Sequence, residues 1–455
     1  MQTAYSRYDI DKEIFGLAWP TISEQILIMM VGIVSTILVS RLGKEAMAGV
    51  GMVNILINFF QTIFAGLATG STIVVARVVG ESGVEKAKIA LIQSMFMGVI
   101  VGIIFLVCGL ASADFVLKIF FGASEPKVLS LALLYYKITL IGIPFVILDM
   151  VVGGALRGAG DTKTPMYVTV VVNIINAVMS VLLIFGFKFR HVLAIPALGV
   201  KGAAIAAMVA RIFGGFIIIG ILFRKKSKLH IEHEDKFSID IKLIRRIIKI
   251  GIPSFMENLI MQGGMLIMQV LIVTLGTAEV AGYQIGNNIH QLSVMPVMGL
   301  ATIANTTVGQ NLGKSNYDMA EVYAYENNRL AIIVAIAAAV LEITFAVPLS
   351  KLYSSDYQVI KASVIVTIGF ALIEPLLAIE RVSASVMRCA GDIRYVIVTS
   401  IIALWTFRVA ASFVLVKFFN IGLYGVMIGI FLDFCVRGFM YVMRMKDGRW
   451  KYLRV

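Results

Sequence analysis

Charge is scarce in this chain. Asp, Glu, Lys and Arg make up 15% of its 455 residues, while 59% are hydrophobic. A soluble domain carries about 25% charged and about 45–50% apolar residues. That balance excludes a water-soluble globule and leaves an integral membrane protein. Cysteine is almost missing. Cys108, Cys389 and Cys435 are too few and too scattered for a disulfide framework, and no zinc motif stands out among the Cys and His. Strict apolar–polar alternation is absent, which excludes an outer-membrane barrel. Acids are outnumbered, 27 against 40 Lys and Arg, for a net charge of +13. The basic residues gather in short runs beside apolar segments, the pattern of cytoplasmic loops rather than of a nucleic-acid face.

What is present is continuous hydrophobicity, with a mean hydropathy of +0.92. A helical span needs about 20 apolar residues. Windows of that length predict twelve helices, centred near residues 28, 64, 101, 143, 176, 211, 263, 296, 339, 370, 407 and 433. The expected fold is all-α and integral to the membrane, with twelve transmembrane helices in two six-helix lobes related by a pseudo-two-fold axis. The lobes are expected at 1–223 and 250–455, joined by a basic linker, 224–249. That linker and the tail with Arg444, Lys446, Arg449 and Lys451 read as cytoplasmic, and so do both termini. The polar start, lacking a basic n-region and a cleavage site, reads as a retained first span. The expected location is the plasma or inner membrane, as a multi-pass and monomeric protein in contact with lipid and with no nucleic-acid partner.

The two halves repeat each other. Pro20, Glu24 and Gly43 recur as Pro253, Glu257 and Gly276 at a constant spacing, and so do Ala48-Gly49 as Ala281-Gly282, Asn54 as Asn287, and Asn58 as Gln291. Pro144, Asp149, Arg157 and Gly160-Asp161 recur as Pro375, Glu380, Arg388 and Gly391-Asp392. Six spans per half give both copies the same orientation, a parallel repeat. A carboxylate inside a span is costly, so acids in matching places suggest a paired device. Each lies one turn or so beyond a proline that removes a backbone hydrogen bond, and transporters expose polar sites at membrane depth through such breaks.

Glu257, Glu380, Glu24 and Asp149 are therefore the candidate ion- or proton-coupling residues. Burial favours the neutral acid over its charged form, which lets such a group take up and release protons. Glu257 and Glu380 with amide oxygens are equally a donor set for Na⁺, a hard ion that prefers oxygen. Asn54, Asn58, Asn287, Gln291, Asn173 and Asn176 are the candidate polar lining. The competing reading makes each acid a neutral hydrogen bond between helices, worth about 0.6–2 kcal/mol. Arg157, Asp161, Arg388 and Asp392 read as braces of glycine-rich helix ends. Gly309–Ser315 falls one spacer short of a phosphate-binding loop, and it follows a helix rather than a strand. His230 and His233 belong to a solvated linker, and Asn305-Thr-Thr falls at a span end where glycosylation is not expected.

Gly154–Pro165 (GALRGAGDTKTP), its degenerate copy Met387–Asp392, Arg41–Gly51 and Val308–Gly313 resemble stretches of the multidrug and toxic compound extrusion (MATE) family. The resemblance spans the whole chain. It implies export of amphipathic, often cationic organic compounds in exchange for inward H⁺ or Na⁺, by rocking of two six-helix lobes, with no other cofactor and no enzymatic activity. One departure stands out. Where many members carry an aspartate in the first span this chain has Ser35, and in the fifth span Asn173 and Asn176 are followed by Ser180. The resemblance therefore shifts ion coupling toward the second half, where Glu257 matches the family's glutamate and Leu377 replaces an aspartate near Glu380. The alternative is a flippase for a lipid-linked precursor, which would need cations near the spans, with Arg211, Arg381, Arg408 and Arg437 as candidates. An intramembrane enzyme would need a nucleophile or metal set that the sequence does not display.

Overall fold

A computed structural model describes residues 6–122, 124–189, 193–224, 228–231 and 239–453. His233 and the linker residues 225–227 and 232–238 lie outside the described residues. The described chain is almost wholly helical. Ten helices have the length and hydropathy to cross a membrane, and a pair bent by 48°, α4 (Pro126–Ile141) with α5 (Ile143–Gly158), makes an eleventh. The longest, α2 (Lys44–Ala111), has 68 residues and one non-helical residue, Gly83 at φ 81°. At 1.5 Å per residue it would be about 100 Å long, three times the hydrocarbon thickness, so it is two spans meeting at Gly83. That brings the number to the twelve expected.

The remaining spans are α1 (Arg7–Ser40), α6 (Lys163–Phe185), α7 (Val200–Leu222), α8 (Ile241–Val273), α9 (Thr277–Gly313), α10 (Tyr317–Tyr353), α11 (Tyr357–Ala390) and α14 (Gly422–Asp447). A further span is composite: α12 (Ile393–Ile402), a π-helical stretch over Ala403–Ala410, and α13 (Ala411–Lys417). The short α3 (Ala113–Phe121) precedes α4. A three-residue hairpin, β1 (Phe187–Phe189) against β2 (Leu193–Ile195), joins α6 to α7 with Lys188 opposite Ala194. Pro20, Pro253 and Pro375 lie inside continuous helices, whereas Pro144 opens α5 at the bend.

Two compact units result. One holds residues 1–22, 76–81 and 249–455; the other holds 23–75 and 82–248. Each has its own apolar core. In the first it runs through Ile14, Leu300, Ala304, Phe370 and Val382. In the second it runs through Val53, Leu117, Tyr136, Ile147 and Ala204. Large apolar side chains also face outward, among them Ile28, Ile37, Leu266, Val270, Val340 and Leu341. Helices apolar on all sides suit lipid rather than water.

Local chemistry sets the helix ends, and the repeat reproduces it. Gly160 and Gly391 take φ of 82° and 95°, a left-handed conformation that glycine adopts without strain. The amide of Asp161 bonds the Leu156 carbonyl and that of Gly160 the Arg157 carbonyl; Asp392 to Met387 and Gly391 to Arg388 do the same. These are two matching Schellman caps. Asp161 then caps the next helix through Thr164, at 3.1 Å to its amide and 2.8 Å to its hydroxyl. Asp392 instead holds Arg444 at 2.7 Å. Within the first unit, Gly80 and Gly313 let two backbones touch. A Cβ on Gly80 would stand 2.1 Å from the Gln310 carbonyl oxygen, and one on Gly313 would stand 2.2 Å from that of Arg77. The Arg77 guanidinium donates to the Cys389 and Ala390 carbonyls at 3.0 Å each, closing the end of α11.

Candidate functional site

Each half buries a glutamate–arginine pair at the repeated positions. Glu24 lies one turn beyond Pro20 on α1, and Arg157 lies at the end of α5. One guanidinium nitrogen, Nη1, donates to both carboxylate oxygens at 2.9 Å. In the other half, Nη1 of Arg388 on α11 donates to both oxygens of Glu257 on α8 at 3.0 Å. Glu24 is 6% exposed and Glu257 9%. Charge-assisted bonds of this kind are what allow a carboxylate to stay ionised in an apolar bundle. Arg157 and Arg388 therefore do more than brace their own helix ends, which was the expectation from sequence.

The second acid of each half stands two turns before the arginine on the same helix, and here the halves diverge. Asp149 on α5 is half-buried and close enough to Glu24 and Arg157 to feel both charges. The cluster in the 23–75/82–248 unit thus sets two carboxylates against one guanidinium, a surplus of one negative charge. Glu380, by contrast, meets Arg437 at 3.1 Å and Arg381 at 3.4 Å. Arg437 also grips Asp433, four residues earlier on α14, and Asp433 takes Arg408 at 2.7 Å. Arg408 and Arg437 both lie over the Phe434 ring, at 5.1 and 4.8 Å. With Glu257 and Arg388 this makes three acids against four arginines, a surplus of one positive charge. The π-helical turn carrying Arg408 is the kind of helix distortion often found at functional sites.

The expected polar lining divides. Asn173 donates to the Leu27 carbonyl at 2.8 Å, tying α6 to α1 one turn past Glu24. Asn176 accepts from Ser180 at 3.1 Å. Asn54 is half-buried and Asn58 exposed, and their counterparts Asn287 and Gln291 are half-buried and exposed. Among the described residues, no hydrogen bond joins any of these four to Glu24, Asp149, Glu257 or Glu380. The stretch 309–313 is the last turn of α9 and forms no phosphate-binding loop. Asn305 is buried in that helix, where no glycan fits.

Sequence reasoning missed Asp433, Arg437 and Arg408 as one ion-pair network, although their presence inside apolar windows was the available signal. It also missed His290, Glu342 and Glu374, which come together inside the 249–455 segment.

Comparison with known proteins agrees with this architecture. The model of the MatE family matches residues 20–182 and 253–414, one copy in each half. A probable multidrug resistance protein, NorM, of Thermotoga maritima is 28% identical over 450 residues, covering 97% of this chain and 94% of its own. An FAD transporter of Shewanella oneidensis is 25% identical over 366 residues, 77% of this chain and 76% of its own. Among solved structures, an outward-facing multidrug resistance MATE transporter of the MOP superfamily superposes with a TM-score of 0.87 at 22% identity, over 97% of both chains.

Proposed function

The chain belongs to the MATE family of membrane transporters, and on that premise we propose that it is a secondary-active exporter of amphipathic, cationic organic compounds driven by inward H⁺ or Na⁺. The observation that carries this reading is the pair of buried acid–arginine clusters with unequal charge. In the half holding Glu24, Asp149 and Arg157, one carboxylate has no guanidinium of its own. A surplus charge in an apolar bundle is costly even when half-buried, so that half is stable when it holds one cation: a proton, a sodium ion or a positively charged cargo. Mutual exclusion at such a site is what antiport needs. Each conformation must bind one ligand better than the other, or no coupling follows. Asp149 is the acceptor in this scheme, with Glu24 held by Arg157 and released to share the incoming cation. Glu257 and Glu380 are already matched by arginine and serve to hold their helices. This moves the coupling role from the second half, where the sequence resemblance set it, to the first.

The named multidrug resistance relatives support a multidrug cargo for this chain. Residence in the inner membrane with both termini cytoplasmic belongs to the same proposal, supported by the basic linker and tail. The flippase reading loses support. Of its four candidate cations, Arg381, Arg408 and Arg437 are engaged by Glu380 and Asp433, which leaves Arg211 to meet a pyrophosphate.

The test is reconstitution of the purified protein into liposomes loaded with a fluorescent organic cation, followed by an H⁺ or a Na⁺ gradient imposed alone. One of the two gradients is expected to drive the dye. Failure of both, with the protein folded and correctly inserted, would overturn the proposal.

A further inference from the structure

His290 on α9, Glu342 on α10 and Glu374 on α11 belong to neither arginine cluster, and they converge from three neighbouring helices. Nδ1 of His290 lies 3.0 Å from Oε1 of Glu374 and 3.8 Å from Oε1 of Glu342. One donor atom from each of the three falls within 4.8 Å of the others. All three side chains are buried, Glu374 completely, and neither oxygen of Glu374 has a hydrogen-bond partner. The imidazole is stacked flat on Phe370, ring centres 4.1 Å apart and planes 5° from parallel. That stacking fixes the plane in which its nitrogens point.

Every other buried acid described so far has an arginine beside it. Among the described residues, Glu342 and Glu374 are ion-paired with His290 alone. Both carboxylates ionised beside a neutral imidazole would put a charge of −2 among buried side chains. The cost of that burial is large unless something positive enters.

The donors indicate what enters. One imidazole nitrogen with two carboxylate oxygens suits the borderline divalent ions, Zn²⁺, Mn²⁺ and Co²⁺. Ca²⁺ and Mg²⁺ prefer oxygen alone. Na⁺ would leave one charge uncompensated and gain little from nitrogen. Spacing gives an independent check. Ligands held 2.0–2.2 Å from a tetrahedral ion stand roughly 3.3–3.6 Å apart; the two distances from Nδ1, 3.0 and 3.8 Å, bracket that range, and the third donor pair lies within 4.8 Å. Charge, donor type and spacing agree.

We propose that His290, Glu342 and Glu374 form a binding site for a divalent transition-metal ion. Three protein ligands leave a coordination position open, as in sites that exchange their fourth ligand. The site is independent of the exporter reading, because binding is measured without transport.

The experiment is titration of the metal-stripped, purified protein with Co²⁺ followed by visible absorption, and with Zn²⁺ by calorimetry. One equivalent per chain is expected. Glu374→Gln, Glu342→Gln and His290→Gln should each weaken binding by tenfold or more, while Asp114→Asn, an exposed acid elsewhere, leaves it unchanged. Metal should also raise the melting temperature of the unsubstituted protein, by linkage. Loss of that rise in whichever substituted protein folds keeps the test sound if another variant does not. Absence of saturable one-to-one binding to the unsubstituted protein overturns the site and makes the three residues a proton-sharing cluster. Binding that survives all three substitutions overturns it as well.

Discussion

Glu24 and Glu257 are each held through both oxygens by a single guanidinium nitrogen, so protonating either one breaks a buried pair. Removing the arginine alone leaves a bare charge among apolar helices. Arg388→Met is therefore expected to cost about 3–5 kcal/mol of stability, and adding Glu257→Met should recover most of that loss. Equilibrium unfolding in lipid–detergent mixtures checks this, and equal losses in the single and double variants would contradict the pairing. Asp149 is in the opposite position, since it shares one arginine with Glu24. Asp149→Asn is thus expected to stabilise the resting protein while abolishing coupled export, a split between stability and transport that a structural role would not give. Sequence alone makes the acids legible, because duplication marks Glu24 with Glu257 and Asp149 with Glu380. It does not reveal what each acid touches, since Arg157 lies 133 residues from Glu24. The His290, Glu342 and Glu374 group has no mirrored copy: at the spacing of the repeat stand Ile57, the apolar stretch Gly109-Leu110-Ala111, and Ile143. A search for paired features is blind to it.

At the scale of elements, the spans follow from apolar windows of membrane length, and all twelve were readable. The breaks were less so. Gly83 divides a 68-residue helix with no proline to announce it, and nothing in the sequence marks the π-helical turn at 403–410 that carries Arg408. Proline was an uneven guide, because Pro144 marks a 48° bend while Pro375 sits in an unbroken helix. The crossing of Gly80 and Gly313 gives a prediction with opposite signs. Alanine at either position puts a methyl group about 2 Å from a carbonyl oxygen, so the helices must part and folded yield should fall. Gly263, inside α8, has no atom within 4 Å of a built Cβ. Gly263→Ala should instead raise stability by about 0.5–1 kcal/mol through its helix preference. Thermal melts of the purified variants check both, and a well-folded Gly313→Ala protein would contradict the close crossing.

At the scale of the whole molecule, the duplicated chain carries the same orientation twice, so its two ends are expected on one side. Tags placed before Arg7 and after Leu453 should be protected in intact cells and cleaved by added protease only in everted vesicles. A tag cut in intact cells would reverse the topology. The unequal charge of the two clusters makes the molecule asymmetric where its sequence repeats, with the acid-rich cluster holding Asp149 and the arginine-rich cluster holding Glu380. The most direct measurement of that claim is the release of bound H⁺ or Na⁺ when a cationic drug is added to the purified protein. About one ion should leave per drug bound, and none from the Asp149→Asn protein. Undiminished release from Asp149→Asn would contradict it.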